Sequence, residues 1–164
     1  MRRQMFLLSL LAGCCALPPL AQEQSPKDQV VEIYRIAAGP RGDYLSPSAF
    51  EDRRVRKHFT KSLLSAENAV EARSRKLNEP ILDFDPVTNA QEPSVRNLSI
   101  GVESADAART VVAASFDRES RPLHNVVRYI FVREGGGWRL DDMRGEEGDD
   151  KWDLRELMNP KAAP

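Results

Sequence analysis

Apolar residues recur every three or four positions in the segment that follows residue 25, which is the spacing of one face of an α-helix. The members of this stripe are Val30, Ile33, Tyr34 and Ala37. Ser25-Pro26 precedes the stripe and suits a helix start, because serine caps free backbone N–H groups and proline is tolerated in the first turn. Gly39-Pro40 follows the stripe and favours a loop. The pattern therefore predicts a first helix between Ser25 and Gly39.

A second helical region is predicted to begin at Ser46-Pro47 and to end at Pro80. Thr60 restarts the helix within it. The expected buried side chains before Thr60 are Phe50, Val55 and Phe59, and after it Leu63, Val70 and Leu77 share one face of the helix. Between these apolar positions the segment is basic, with Arg53, Arg54, Arg56, Lys57 and Lys61. We interpret these charges as a solvated helix face, and the alternative is a contact with an anion or a phospholipid headgroup.

From Val95 onward the apolar pattern changes to the two-residue period of β-strands. Alternation begins at Leu98, Ile100 and Val102, and three further strands are predicted at residues 110–116, 125–132 and 138–143. The glycines of Glu134–Gly137 predict a tight hairpin between the last two strands. An acidic loop and a short terminal helix containing Trp152 and Leu154 follow. Helices followed by an antiparallel meander indicate an α+β fold, with the helices on one face of a four-stranded sheet.

The first residues have the pattern of an export signal. Arg2 and Arg3 form a positive start, and an apolar run with Phe6, Leu7 and Leu8 follows that is too short to span a bilayer. Two processing sites remain open. Residues 1–21 are a cleaved signal peptide, or residues 1–13 are a lipoprotein signal, because Leu11-Ala12-Gly13-Cys14 resembles a bacterial lipobox in which Cys14 is acylated. Residues 22–164 then form one α+β domain in the periplasm, free or held to the membrane by lipid.

Charge and cysteine content exclude several classes of function. Removal of Arg2 and Arg3 with the leader changes the formal net charge from −1 to −3, and a mildly acidic protein does not attract nucleic acid. Both cysteines, Cys14 and Cys15, lie in the leader, so the domain has no thiol for catalysis or metal binding. The two histidines, His58 and His124, lie far apart in the chain and are expected at the surface and at a strand start. We therefore predict no metal and no cofactor.

Two motifs resemble a known family. Gly136-Gly137-Trp138-Arg139-Leu140-Asp141-Asp142-Met143 resembles the closing strand of nuclear transport factor 2-like domains. Leu82-Asp83-Phe84-Asp85-Pro86 with Ala90-Gln91 resembles the signature of domain of unknown function 3828, a group of exported bacterial proteins. This resemblance covers nearly the whole mature chain and implies a cone-shaped α+β fold with a curved sheet wrapped round helices. The family has no established chemistry, and a fold alone implies no function.

The candidate site is the segment from Asp83 to Gln91, in which Asp83, Asp85, Asn89 and Gln91 alternate with apolar residues. Three interpretations remain open. In the first, Asp85 caps the turn at Pro86 and Gln91 bonds to backbone. In the second, the segment lines a pocket for a small polar ligand or peptide. In the third, Asp85 acts as an acid or base, paired with another carboxylate or with His124.

These observations predict a non-catalytic protein of the bacterial envelope. Its expected partner is a small polar ligand or another envelope protein, bound through the mouth of the cone or the exposed sheet. The alternative is a small-molecule hydrolase or isomerase that uses Asp85. A third hypothesis is a structural role, in which the domain docks onto a larger envelope complex.

Overall fold

The computed structural model describes residues 23–44, 48–118 and 121–159, with the side chains of residues 121–124 excepted. Cys14 and both predicted processing sites lie outside the described residues. The helices are α1 Pro26–Ala38, α2 Arg53–Arg56, α3 Lys61–Leu77 and α4 Leu154–Leu157. The strands are β1 Arg96–Ala105, β2 Arg109–Arg118, β3 Arg121–Glu134, β4 Gly137–Glu147 and β5 Asp150–Asp153. The chain is thus an α+β fold, as predicted.

The ends of α1 and α3 are set by local capping. The hydroxyl of Ser25 accepts a hydrogen bond from the backbone N–H of Asp28, and α1 ends at Gly39, whose φ of 64° few other residues adopt. Thr60 caps α3 in the same way by accepting from the N–H of Leu63 at 3.0 Å. Asn78, in the left-handed conformation, ends that helix two residues before Pro80. The predicted starts at Ser25 and Thr60 are confirmed.

The helix predicted between Ser46-Pro47 and Thr60 is much shorter than expected. Ser46 and Pro47 lie outside the described residues, and α2 begins only at Arg53, where Asp52 caps it. After α2 the backbone turns to run beside β4. The N–H of Leu140 donates to the carbonyl of His58 at 2.7 Å, and the N–H of Thr60 donates to the carbonyl of Leu140 at 2.8 Å. This pairing with β4 is incompatible with a continuous helix.

All strands are antiparallel and neighbours in the chain are neighbours in the sheet, in the order β1-β2-β3-β4-β5. The prediction of four strands is therefore wrong by one. The chain turns at Gly148, which has a φ of 62°, and Asp150–Asp153 pairs with Arg144–Glu147. Trp152 consequently lies in β5 and not in the terminal helix. The acidic residues of this segment have a low intrinsic preference for strands, so the sequence did not predict β5. The strand forms because the segment pairs with β4, and such pairing outweighs the intrinsic preference.

The core lies between the helices and one face of the sheet. The sheet contributes alternate residues to it, among them Val112, Ala114, Phe116, Val127, Tyr129 and Phe131. Opposite β4 the register shifts between Ile130 and Phe131, which pair with Asp142 and Leu140. Asp141 is thus an extra residue, and this bulge allows Leu140 and Met143 to be buried in the same core although they are three positions apart.

The predicted hairpin between β3 and β4 is confirmed, with Gly135 and Gly136 at φ values of 63° and 83°. The first described residue is tied to this hairpin. Glu23 accepts hydrogen bonds from the guanidinium of Arg133 and from the backbone N–H of Trp138, the latter at 2.7 Å. The beginning of the described chain is therefore held against the end of the sheet.

Candidate functional site

The loop between α3 and β1 folds back on itself at the predicted site. The N–H of Asp85 donates to the carbonyl of Ala90 at 3.0 Å, and Asn89 adopts a left-handed conformation with a φ of 52°. Helix α1 supports this loop from inside, since the hydroxyl of Tyr34 donates to the carbonyl of Val87 at 2.9 Å. The loop is therefore part of the packed structure.

Asp85 stabilises the backbone around it. One carboxylate oxygen accepts from the N–H of Val87 at 2.8 Å, and the other accepts from the N–H of Ala49 at 2.7 Å. Burial raises the pKa of Asp85, and the hydrogen bonds from the backbone of Val87, Ala49 and Phe50 oppose this shift only in part. The side chain thus caps its own turn, as one interpretation of the sequence proposed, and also joins two segments 36 residues apart.

Asn89 joins the loop to two strands. Its amide nitrogen donates to the side-chain oxygen of Asn125 in β3 at 3.0 Å, and its side-chain oxygen accepts from the indole N–H of Trp152 in β5 at 2.7 Å. Trp152 in turn packs edge-on against Phe84, with ring centroids 5.3 Å apart. These contacts fix the loop against the sheet.

Asp83 and Gln91 lie on the solvent side of the loop. The amide nitrogen of Gln91 donates to a carboxylate oxygen of Asp83 at 3.2 Å, and both residues are exposed. Gln91 thus bonds to a side chain, whereas one interpretation expected a bond to backbone. The backbone of His124 pairs with Asp117 in β2, and its side chain lies outside the described part of the structure, so its proposed pairing with Asp85 stays a prediction.

A cavity of about 580 Å³ opens beside the loop. Asp83, Asp85 and Gln91 line it, whereas Asn89 does not. Its apolar wall is formed mainly by Phe50, Leu82, Phe84 and the prolines 80, 86 and 93. Among the described residues that line it, none is a lysine, arginine or histidine.

A second cavity of about 320 Å³ adjoins the first and shares Phe50, Glu51, Pro80 and Leu82 with it. We call the two together the loop groove. The second cavity is lined by α3 on one side, through Glu67, Val70, Glu71 and Ser74. The loop groove therefore runs from the loop at Asp83–Gln91 to the exposed end of α3.

Glu67 is the most buried acid of this second cavity. A carboxylate oxygen of Glu67 lies 2.7 Å from Nε of Arg56, and another nitrogen of Arg56 donates to the side-chain oxygen of Asn68 at 2.8 Å. Burial raises the pKa of Glu67, and the charge of Arg56 only partly offsets the shift. The sequence interpretation missed this pair because both residues lie in charged segments and no spacing rule connects positions on different helices.

The prediction of a solvated basic face is confirmed for Arg53, Arg54, Lys57 and Lys61, which are exposed. The prediction of a surface position is wrong for His58, which is only 4% exposed. Pairing of its backbone with β4 turns the side chain inward, where its Nε2 lies 3.4 Å from a carboxylate oxygen of Glu32. Burial lowers the pKa of His58, although the charge of Glu32 opposes this effect.

Among residues 23–44, 48–118 and 121–159, no three histidine, cysteine, aspartate or glutamate side chains converge as a set that would hold a metal ion. None of the helices in these ranges combines the length and apolar character that crossing a membrane requires. No family model, no curated protein and no solved structure matches the chain at a significant level. The geometry of the loop groove is therefore the main indication of function in the described residues.

Proposed function

We propose that the chain is a non-catalytic protein of the bacterial envelope that binds a small polar ligand in the loop groove. One observation supports this most directly: a groove of ligand size has an apolar wall and exposed polar groups at Glu51, Asp83 and Gln91. Small-molecule sites commonly have this composition, in which a few polar groups orient a ligand against an apolar surface.

The environment of Asp85 favours binding over catalysis. An acid or base must reach the substrate with a free oxygen, whereas both oxygens of Asp85 accept hydrogen bonds from backbone N–H groups. The residue is also only 9% exposed. The hydrolase or isomerase that would use Asp85 is therefore the less supported alternative.

We also propose that the protein acts outside the cytoplasm. The positive start and short apolar run of residues 1–21 support export, and Cys14 in its lipobox-like setting supports a lipid anchor. Membership of the domain of unknown function 3828 group and a nuclear transport factor 2-like cone are part of the same proposal. Helices on one face of an antiparallel sheet are compatible with both.

Export and anchoring can be tested by the mass of the processed protein. Purification from the membrane fraction of expressing bacteria should yield a chain that begins with an acylated Cys14. The Cys14→Ala variant should not form this acylated chain. A chain that begins at Gln22 without lipid would leave export intact and reject the anchor. A full-length chain in the cytosol would reject both.

Ligand binding can be tested by the molecules that accompany the protein. Protein purified from its native compartment is denatured, and the released small molecules are identified by mass spectrometry. Gln91→Trp should block the loop groove, because residue 91 is exposed and lines it. Glu92→Trp is the matched control, because residue 92 is exposed, is adjacent to residue 91 and lines neither cavity.

We expect a molecule that is recovered with wild type and with Glu92→Trp and is lost with Gln91→Trp. Recovery of the same molecules from all three proteins would place their binding outside the groove. Recovery of none from wild type, together with no small molecule that binds the groove on titration, would reject the proposal.

A further inference from the structure

The charges that line the loop groove are predominantly negative. Its described lining contains five carboxylates and two guanidinium groups, which belong to Glu51, Glu67, Glu71, Asp83 and Asp85, and to Arg56 and Arg75. The cavity beside the loop has three of the carboxylates and neither arginine.

Both arginines are already paired within the groove. Nε of Arg56 lies 2.7 Å from Glu67, and a terminal nitrogen of Arg75 lies 2.7 Å from Glu71. The groove therefore offers no unpaired guanidinium group, among its described lining residues, to a phosphate or carboxylate ligand. An anion would have to compete with these carboxylates for both guanidinium groups, which disfavours the usual means by which a protein recognises an anion.

Two carboxylates of the groove, those of Asp83 and Glu51, form no ion pair with any cation that the structure describes. Asp83 accepts one hydrogen bond from the neutral amide of Gln91, and its remaining acceptor positions are open to a further donor. Glu51 is exposed and makes no ion pair with any lysine or arginine in the described ranges. Asp85 adds negative charge behind them, although its oxygens are engaged by backbone.

The apolar wall beside these carboxylates includes an aromatic ring in a fixed position. Phe84 is half-buried, lines the groove, and packs edge-on against Trp152 with an interplanar angle of 62°. The hydrogen bond from the indole to Asn89 holds Trp152 in place. An aromatic ring beside carboxylates suits a ligand that has an apolar part and a positive charge, because the face of the ring also attracts cations.

We propose that the ligand of the loop groove is a small organic cation, in which an ammonium or guanidinium group is attached to an apolar stem. The charged group would contact Glu51 and Asp83, and the stem would contact Leu82 and Phe84. This inference rests on the proposed function, since it names the chemical class of the ligand that the groove binds.

The charge selectivity of the groove can be tested with three probes that share a 2-phenylethyl stem and differ in the charge of the group attached to it. They are 2-phenylethylammonium, 2-phenylethanol and 3-phenylpropanoate. Binding to the processed protein is measured by titration, with NMR shifts of the backbone amides to locate each probe. One exposed ion pair changes affinity by up to about fivefold. With two carboxylates we expect the ammonium to bind roughly tenfold more tightly than the alcohol, and the carboxylate to bind least.

The preference should decrease at high salt, because exposed charges are screened. It should also be lost in the double variant Glu51→Gln/Asp83→Asn. Glu92→Gln removes an exposed charge beside the groove and should keep the preference. Both variants retain side-chain size, and unchanged thermal unfolding would show that each protein is folded.

Shifts at the groove with equal affinities, or with the order reversed, would overturn the inference about charge and leave the proposed ligand-binding function intact. If no probe shifts groove residues, the charge of the co-purified molecule decides: a cation supports the inference, and a neutral molecule or an anion overturns it. Absence of both probe binding and a co-purified molecule would overturn the inference together with the proposed function.

Discussion

The indole N–H of Trp152 donates to the side-chain oxygen of Asn89 at 2.7 Å, and this bond joins the loop of the candidate groove to the last strand of the sheet. Asn89 is also held by its second hydrogen bond, to Asn125 in β3. A single asparagine therefore connects the loop to two strands. Its backbone is left-handed, a conformation that asparagine and glycine adopt more readily than other residues.

Replacement of Asn89 separates the contribution of the side chain from that of the backbone. Asn89→Ala should lower the free energy of unfolding by about 2–3 kcal/mol, because it removes two hydrogen bonds and places alanine in a left-handed conformation. Asn89→Gly removes the same bonds without that strain, so its loss should be about 1 kcal/mol smaller. Urea unfolding followed by tryptophan fluorescence measures both. Equal losses would show that the left-handed backbone contributes nothing.

Position 145 has no room for a side chain, because the indole of Trp152 lies against the backbone of Gly145. The two residues are paired between β4 and β5, and a Cβ on Gly145 would overlap the atoms of the indole ring. Gly145→Ala should displace the ring and lower the free energy of unfolding by about 1–3 kcal/mol. Gly101→Ala is the control, since a Cβ there meets no atom within 4 Å.

Displacement of the indole should also shift tryptophan emission to longer wavelength in Gly145→Ala and leave Gly101→Ala unchanged. Two variants with the same stability and the same emission would show that β5 accommodates the methyl group, contrary to the close contact in the structure.

The carboxylate of Asp85 should be essential for the loop, and that of Asp83 dispensable for stability. Asp85→Asn directs an NH₂ group toward backbone donors, so it should lower the free energy of unfolding by about 2–3 kcal/mol. Asp83→Asn should change it by less than about 0.5 kcal/mol, because residue 83 is exposed. Chemical denaturation of the two variants provides the comparison. A stable Asp85→Asn protein would contradict the structural role that its hydrogen bonds to Val87 and Ala49 assign to Asp85.

Glu32 should stabilise the protein in a defined range of pH. Its hydrogen bonds with Lys57 and Gln24 lower its pKa from 4.5 to about 2 in the folded state. The stabilisation is therefore complete above pH 4.5 and is lost as the pH falls toward 2. Because the pair is partly solvated, we expect no more than about 1 kcal/mol. The difference in unfolding free energy between wild type and Glu32→Gln should shrink across this range, and a constant difference would contradict the assignment.

His58 should add a second acid-sensitive range. Burial lowers its pKa below the usual 6.5, so the unfolded chain takes up a proton that the folded chain resists. Stability from this residue is present above pH 6.5 and decreases as the pH falls toward the folded pKa. The charge of Glu32 reduces this effect, so Glu32→Gln should lose more stability than wild type between neutral pH and the folded pKa of His58. Urea titrations at closely spaced pH values would measure it, with Glu92→Gln as the control.

Features that depend on a few consecutive residues followed from the sequence by itself. The caps at Ser25 and Thr60 satisfy free N–H groups of their own helices, and Gly135-Gly136 supplies the positive φ of its own turn. The two-residue alternation of the strands likewise reports which face is buried. These local rules were sufficient for the α+β class, for the starts of two helices and for the hairpin.

Features that depend on distant residues required the tertiary structure. β5 forms because Asp150–Asp153 meets a free edge of β4, and His58 is buried because its backbone pairs with Leu140. The contact of Asp85 with Ala49 and the pairing of Arg56 with Glu67 have the same origin. Residue types and spacing do not determine which segments meet in the folded chain, so the loop groove and its charge became visible only when the helices and sheet were packed together.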